Sequence, residues 1–412
     1  MDEKEDKCNR VAIFIISGSI ERSASLINFI KSLSIEGYII DVFSLGDFKG
    51  VFNQEYKNIN FISDIKNEEK IKKLKRIVRL DSIVFSSSKW YRRFGYLKLI
   101  LNLHYIYYML KNNEYMCFIG VEKLGLIIAD LVNNNKVPII YYSLELYYSE
   151  PSGKGRLMFN AIRRLELNAH HNAKATIIQD RERASVLFEY NKIPEYMQEI
   201  LFLPVSMIGG SFKKRTNFFY ETLGIPRDKK IILQLSMIAS SRMSLDIAKS
   251  TRNWPEDWVL VMHGIFEQGI EHQIKNLNHR CNIYISKEKL RFEDIPKAVA
   301  SAHIGLVFYK NDTDFNYYNN YYIGSSSGQL AHHLQCGIPI ITLNIPSLRR
   351  VVDGCQCGLA VDDPDLIKES AKMIFKNYEF FRENAFRCFE ERYQFEKNFD
   401  NINIYIKSLS KT

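Results

Sequence analysis

Hydrophobic positions in this chain fall into short unbroken runs, separated by stretches where they recur at helical spacing. Val11-Ala12-Ile13-Phe14-Ile15-Ile16 is the first run, and its lack of alternation predicts a strand buried on both faces of a parallel sheet. Ser17-Gly18-Ser19 breaks it. Leu26, Ile27 and Ile30 then share one helical face, and Gly37-Tyr38 turns into a second strand over residues 39–43. The same grammar predicts a basic amphipathic helix at 66–80 feeding a strand at 81–85. Strands at 117–120 and 137–142 enclose a helix at 123–133. A helix over 155–170, a strand near 173–178 and a last strand at 201–206 complete the first half.

Residues 207–222 carry Gly209-Gly210 and few periodic apolar positions, which predicts a linker. Beyond it the pattern restarts. Strands are predicted at 229–236, 258–264, 282–286, 304–309 and 338–343, with a polar turn at 237–243 and a helix at 244–251. Repeated strand–loop–helix units in both halves define an α/β protein of two Rossmann-like, doubly wound domains facing a central cleft. The expected boundaries are 1–206, a linker at 207–228, 229–380, and a C-terminal helix at 381–412 that packs back on the first domain.

Composition changes this picture little. A chain of 412 residues is long for one core, and 46% hydrophobic with 25% charged residues is the balance of a globular protein. The 24 Tyr and 26 Phe suit stacking surfaces, although AT-rich codon usage accounts for them more simply. The net charge of +9 suits an anionic ligand or membrane surface. With no RNA-reading signature and no zinc-finger spacing, nucleic acid is not expected as a partner. Lys89-Trp90-Tyr91-Arg92-Arg93-Phe94-Gly95-Tyr96-Leu97-Lys98 interleaves cations with aromatics, a pattern that fits peripheral contact with an anionic leaflet or an ordinary solvated face. The mixed-charge N-terminus is unlike a secretion signal, and no run approaches the ~20 apolar residues of a membrane span. Seven cysteines, an odd number, then point to reduced thiols and a cytoplasmic protein, peripheral at most to the inner membrane. Cys355-Gln356-Cys357 lacks a second pair or a His cluster to complete four ligands and reads as structural, so no metal is expected.

The candidate chemistry centres on Gly324-Ser325-Ser326-Ser327-Gly328-Gln329-Leu330, a small-residue loop running into a helix. Such a loop offers backbone N–H groups and hydroxyls to an anion. Leu330 and Leu334 share a face, Gly337 sits where a glycine ends a helix, and Pro339 prevents its continuation. Glu145 lies just past a predicted strand's carboxyl end, where open α/β sheets bind ligands. His332 is the other candidate catalytic side chain. No G-x-G-x-x-G occurs, so a nicotinamide or flavin dinucleotide is not expected. Asp312-Thr313-Asp314 matches an Asp-x-Asp motif in letters only, inside a polar insertion.

From residue 10 to the C-terminus the chain resembles the retaining glycosyltransferases of the GT-B fold, in particular the family-4-like group. The loop and helix above, continued through Pro346-Ser347-Leu348-Arg349-Arg350-Val351-Val352-Asp353-Gly354, carry the resemblance most strongly. Tyr141-Tyr142-Ser143-Leu144-Glu145-Leu146 corresponds to a Tyr-x-x-His-Glu-Leu pattern on the acceptor side. Gln179-Asp180-Arg181-Glu182-Arg183-Ala184 looks like a segment lining the cleft, and 258–264 like the strand ending beside the nucleotide base. The resemblance implies an acceptor-binding first domain and a donor-binding second one. It implies transfer of a hexosyl-type sugar, with retention and without metal or other cofactor, from a nucleoside-diphosphate sugar to a glycan or lipid-linked acceptor. The implied setting is surface polysaccharide, lipopolysaccharide or capsule biosynthesis. Ser236, Arg242, His263, Gly264, Ser325, Ser326, Ser327, Gly328, Gln329 and Leu330 are its expected donor-binding residues, and Gly18, Ser19 and Asp180 its acceptor or cleft residues. The chain departs from the family pattern in three respects. Gly324 and His332 stand where Glu-x7-Glu is usual, Leu144 replaces a histidine, and Arg242 is the one cation left on the loop after the first strand of the second half. A non-catalytic nucleotide-sugar-binding partner and a nucleotide-sugar epimerase on the same scaffold are the competing readings.

Overall fold

A computed structural model describes residues 9–15, 23–44, 56–63, 106–146 (save 107, 112 and 135), 156–277, 282–310 and 317–409. The predicted elements at 66–80 and 81–85, the 89–98 segment, Gly18, Ser19 and Asp312-Thr313-Asp314 lie outside these residues. The chain divides into two compact units: Met1–Glu145, Glu150–Phe202 and Phe399–Thr412 form unit 1, and Leu146–Ser149 with Leu203–Asn398 form unit 2.

Unit 1 is built on a seven-stranded parallel sheet in the order β3-β2-β1-β4-β5-β6-β7. Its strands are β1 (Arg10–Ile15), β2 (Ile39–Ser44), β3 (Ile59–Ser63), β4 (Cys117–Val121), β5 (Ile139–Tyr142), β6 (Ala175–Ile178) and β7 (Glu199–Phe202). The unbroken apolar runs are the buried central strands, with Val11 to Ile15 at most 1% exposed. Phe14 stacks on Phe43 at 5.2 Å and meets Phe118 edge-on at 5.3 Å. Helix Glu122–Leu131 lies close on β1 and β4, because a Cβ on Gly125 would fall 2.2 Å from the Phe14 carbonyl oxygen. Ser23 and Asp180 cap helices Ala24–Ile35 and Arg181–Tyr190 through their side chains. The far end of helix Phe395–Leu409 belongs here too. Phe399 meets Phe29 at 5.8 Å, Asn403 accepts from Tyr38 at 2.9 Å, and Lys407 pairs with Glu36 at 2.7 Å.

Unit 2 is built on a six-stranded parallel sheet in the order β10-β9-β8-β11-β12-β13. These are β8 (Lys230–Ile238), β9 (Trp258–Phe266), β10 (Ile283–Ser286), β11 (Ile304–Val307), β12 (Ile340–Leu343) and β13 (Gly358–Val361). In both sheets the order reverses beside the first strand, between β1 and β4 and between β8 and β11. That is where such sheets open a ligand-binding crevice at their carboxyl ends.

Several expectations are corrected. The pair β8 and β9 continues two residues past the predicted ends, to Ile238 opposite Phe266. Ser236 and Gly264 therefore sit inside strands, and the polar turn is a short 3-10 helix, Ser240–Arg242. The continuation requires glycine: Gly264 has φ +141°, and a Cβ there would lie 1.8 Å from the Ser236 carbonyl oxygen. The last strand of unit 1 is Glu199–Phe202, not 201–206, since Pro204 removes a ladder donor. The 207–222 stretch contains helix Phe218–Leu223 and is tied into unit 2 by Phe212 N–H to Gln335 O (2.7 Å) and Thr216 N–H to Ala300 O (3.4 Å). The C-terminal helix is two, Tyr378–Cys388 and Phe395–Leu409, joined by a π-type turn. The expectation of reduced thiols throughout fails as well. Cys355 and Cys388 are disulfide-bonded with Cα atoms 5.7 Å apart, a pairing made by the fold across 33 residues.

Candidate active site

At the β8/β11 switch point of unit 2, two predicted residues, Arg242 and Ser327, meet through one that was not predicted. Tyr309 follows β11 and is 3% exposed. Its ring lies beneath the Arg242 guanidinium, 3.8 Å from the centroid, and its hydroxyl is 2.8 Å from Ser327 Oγ. Arg242 is held from behind by its own carbonyl, which accepts from Gln234 Nε2 at 3.0 Å. The Arg242 Nε and the Gln234 Oε1 are buried and meet no hydrogen-bond partner among the described residues. A guanidinium stacked on an aromatic face with an unspent donor is suited to a planar or multidentate anion.

Ser327 caps helix Gly328–Gln335, accepting from Leu330 N–H at 3.2 Å, and is itself fully buried. It is therefore a structural hinge between the helix and Tyr309. The loop before it is pinned: Ser325 O accepts from Val205 N–H at 2.8 Å, and Ser326 Oγ donates to Ile323 O at 3.1 Å. Gly324 N–H donates to Ser347 Oγ at 3.2 Å, and a Cβ on Gly324 would stand 2.8 Å from Ser347 O. No side chain fits there without movement, so the local packing rejects the usual glutamate at this position. Leu330 is in the core, Gln329 is buried, and Gly337 ends the helix at φ +62° against the Phe386 ring.

Ser236 is exposed and adopts φ +89°, a strained conformation for a residue with a side chain. His263 turns into the core, with Nδ1 2.8 Å from Ser286 Oγ and its pKa lowered by burial. His332 packs edge-on against Phe292 at 5.8 Å, and burial lowers its pKa to about 4, which keeps the ring neutral. The structure thus joins Arg242, Tyr309 and Ser327 but turns His263 and His332 toward other partners. A hollow of about 570 Å³ lies over the exit of β12, lined by Asn344, Pro346, Arg349, Arg350, Asp353 and Gly354. None of the predicted loop residues lines it, and the chemistry at Arg242 is the better guide to function.

The carboxyl ends of β4 and β5 in unit 1 hold a second cluster. Glu122, the first residue of its helix, takes φ +58° and its Oε1 accepts from the N–H groups of Leu144 (2.7 Å) and Glu145 (2.9 Å). Burial, reinforced by the charge of Glu145, pushes its pKa up to about 8. The carbonyls of the same loop are held from the opposite side. Gln179 Nε2 donates to Ser143 O at 2.7 Å, and the fully buried Arg183 donates to Leu144 O at 2.9 Å and to Gln179 Oε1 at 2.6 Å. Asp180 caps the Arg183 N–H at 2.9 Å. Tyr142 Oη and Ser143 Oγ are buried without partners among the described residues. Glu145 stands exposed on a backbone fixed from both faces. Glu122 escaped the sequence reading because an acidic residue in a helix's first turn is ordinary; only its left-handed backbone and through-space partners set it apart.

Two parallel sheets of this order match the GT-B fold, the architecture of a large class of glycosyltransferases. Residues 244–390 match the family model for the Glucosyltransferase 3-like, C-terminal domain. Among solved structures the chain is similar to HepE of Anabaena in complex with UDP (TM-score 0.68, 11% identity, 97% of this chain and 100% of that one). It is also similar to sucrose-phosphate synthase of Thermosynechococcus elongatus (0.68, 13%, 98% and 100%). A third is WaaG, a glycosyltransferase involved in lipopolysaccharide biosynthesis (0.61, 13%, 96% and 99%). No curated protein matches the chain in sequence.

Proposed function

We propose that the protein is a glycosyltransferase that moves a hexosyl-type sugar from a nucleoside-diphosphate sugar to a glycan or lipid-linked acceptor. The observation that carries this reading is the Arg242–Tyr309–Ser327 chain at the switch point of unit 2. The Arg242 guanidinium takes one face of the diphosphate. A helix leaves its first N–H groups without intrahelical partners; Ser327 occupies that of Leu330, and those of Gly328 and Gln329 take a phosphate oxygen. Cleavage of the sugar–phosphate bond builds charge on the leaving diphosphate. Preorganised donors stabilise that charge more in the transition state than in the bound substrate. No metal or cofactor is needed for this role, and retention at the anomeric carbon follows the family resemblance. HepE has been solved with UDP and with UDP-glucose, which supports a uridine nucleotide as the first donor to try. In unit 1, Glu145 and Glu122 border the place for the acceptor hydroxyl. In this reading a lipid-linked acceptor is met at the membrane surface; no helix among the described residues is long and apolar enough to cross a membrane. Surface polysaccharide or lipopolysaccharide assembly in the cytoplasm, at the inner membrane, is the setting proposed.

One observation favours a second reading, that of a nucleotide-sugar-binding partner without catalysis. Gly324 excludes the first glutamate of the usual pair sterically, and His332, in place of the second, is neutral and packed on Phe292. Incubation with a panel of UDP, GDP and CMP sugars, with and without added glycan or lipid acceptors, separates the two. Release of free nucleotide above the no-enzyme rate supports the transferase. Binding without release under any condition supports the partner protein, and an altered sugar in the absence of acceptor identifies an epimerase.

A further inference from the structure

Cys355-Gln356-Cys357 has too few ligands in sequence to hold a metal, and the fold supplies a third. The Sγ atoms of Cys355, Cys357 and Cys388 all lie within 4.8 Å of one another. Gln356 between the first two adopts φ +53°, a left-handed turn that ends helix Pro346–Cys355 and lets both flanking cysteines face the same neighbour. The turn is fixed by Gln356 N–H to Asp353 O and Cys357 N–H to Val352 O, each 3.2 Å. Asn384 Nδ2 donates to Gln356 O at 3.1 Å and ties it to the helix that carries Cys388. Cys357 and Cys388 are buried with Val352, Ala385, Phe389 and Tyr393, while Cys355 reaches partial exposure.

We propose that, once the Cys355–Cys388 bridge is reduced, these three sulfurs bind one thiophilic divalent cation of the zinc type. Thiolate sulfur selects soft and borderline cations, and Zn–S bonds of about 2.3 Å place ligand sulfurs within the observed spread. No further His, Cys, Asp or Glu joins the cluster among the described residues, so the fourth position belongs to water on the side of Cys355. Three thiolates around a divalent cation carry one net negative charge, and the positive charge of Arg392 acts on Cys357. A monovalent cation would leave twice that charge in an apolar pocket, at greater desolvation cost. Only thiolate sulfur ligates a metal, so binding releases the thiol protons. Reduction of the bridge yields two thiols: a pair of external thiols supplies the two electrons and two protons and becomes a disulfide, or a phosphine supplies the two electrons and becomes its oxide, with water giving the oxygen and both protons. The cation then displaces three thiol protons as three S–metal bonds form. Disulfide and metal are mutually exclusive states of one site. The bound cation braces the turn before β13 against helix Tyr378–Cys388, independently of any transferase activity.

The test uses the full-length chain reduced with a phosphine, and Zn²⁺ alone as the probe. Bound metal is read by competition with a chromophoric chelator, and Cd²⁺ substitution by its thiolate charge-transfer absorption. One equivalent of zinc, a melting temperature raised by a few degrees, and loss of both in C357A but not in C117A are expected. Oxidised wild-type protein, whose bridge is intact, should bind none, and this arm decides the matter if C357A fails to fold. No zinc bound by the reduced chain, or equal binding by the oxidised chain or by folded C357A, overturns the proposal.

Discussion

Arg242 has its positive charge placed over an aromatic ring, one nitrogen unspent, at the end of a central strand. Lysine at that position keeps the charge but loses the planar stack and the fork of donors. Arg242→Lys is therefore expected to weaken nucleoside-diphosphate binding by about 2 kcal/mol, roughly thirtyfold in the dissociation constant measured by calorimetry, with little change in melting temperature. Glu122 makes a pH-dependent prediction. Its folded pKa, about 8, lies above the ordinary value of 4.5, so the folded state holds a proton that the unfolded state releases. That proton favours folding fully below pH 4.5, and the advantage is lost as pH rises toward 8. Glu122→Gln keeps an acceptor for the Leu144 and Glu145 N–H groups and cannot ionise. Its melting temperature should match the wild type near pH 4.5 and exceed it at pH 8; a difference independent of pH would contradict the assignment. Neither Tyr309 nor Glu122 was legible in the sequence. Each acts on residues distant in the chain, and neither sits in a local pattern that marks its contact.

At the scale of elements, the unbroken apolar runs gave the central strands reliably because a strand covered on both faces has no polar side to alternate. The ends were less legible. Pro204 shortens the reading of β7, and Gly264 lengthens β8 and β9, each through a backbone property that hydrophobic periodicity does not register. Edge strand β3 (Ile59-Asn60-Phe61-Ile62-Ser63) passed unread, since Asn60 interrupts a short run; it donates from Nδ2 to Asp41 at 2.8 Å. The close approach of β8 and β9 is testable. Gly264→Ala places a methyl group 1.8 Å from the Ser236 carbonyl at a φ of +141°, so the strand ends must separate. A loss of about 2 kcal/mol or more in urea unfolding is expected, together with weaker nucleotide binding, because Ser236 and the Ser240–Arg242 turn follow from that register. Unchanged stability would show that the two strands do not depend on this glycine.

For the whole molecule, two parallel sheets have a strand order that reverses beside the first strand, the place where sheets of this kind open a ligand crevice. The paired-sheet plan and the loop Gly324 to Leu330 were both legible in the sequence, because each is a local pattern. The thiol cluster and the Arg242–Tyr309–Ser327 chain were not, because only folding brings their members together. The central claim is that unit 2 holds the diphosphate of a nucleotide sugar at Arg242 and the start of helix Gly328–Gln335. Its most direct test is calorimetric titration of the wild type and Arg242→Ala with UDP, GDP and CDP, each beside the matching nucleoside. Tight binding of at least one diphosphate, weak binding of its nucleoside, and loss of the difference in Arg242→Ala is the predicted result. Failure of every diphosphate to bind the folded wild type, or equal binding by Arg242→Ala, would contradict it.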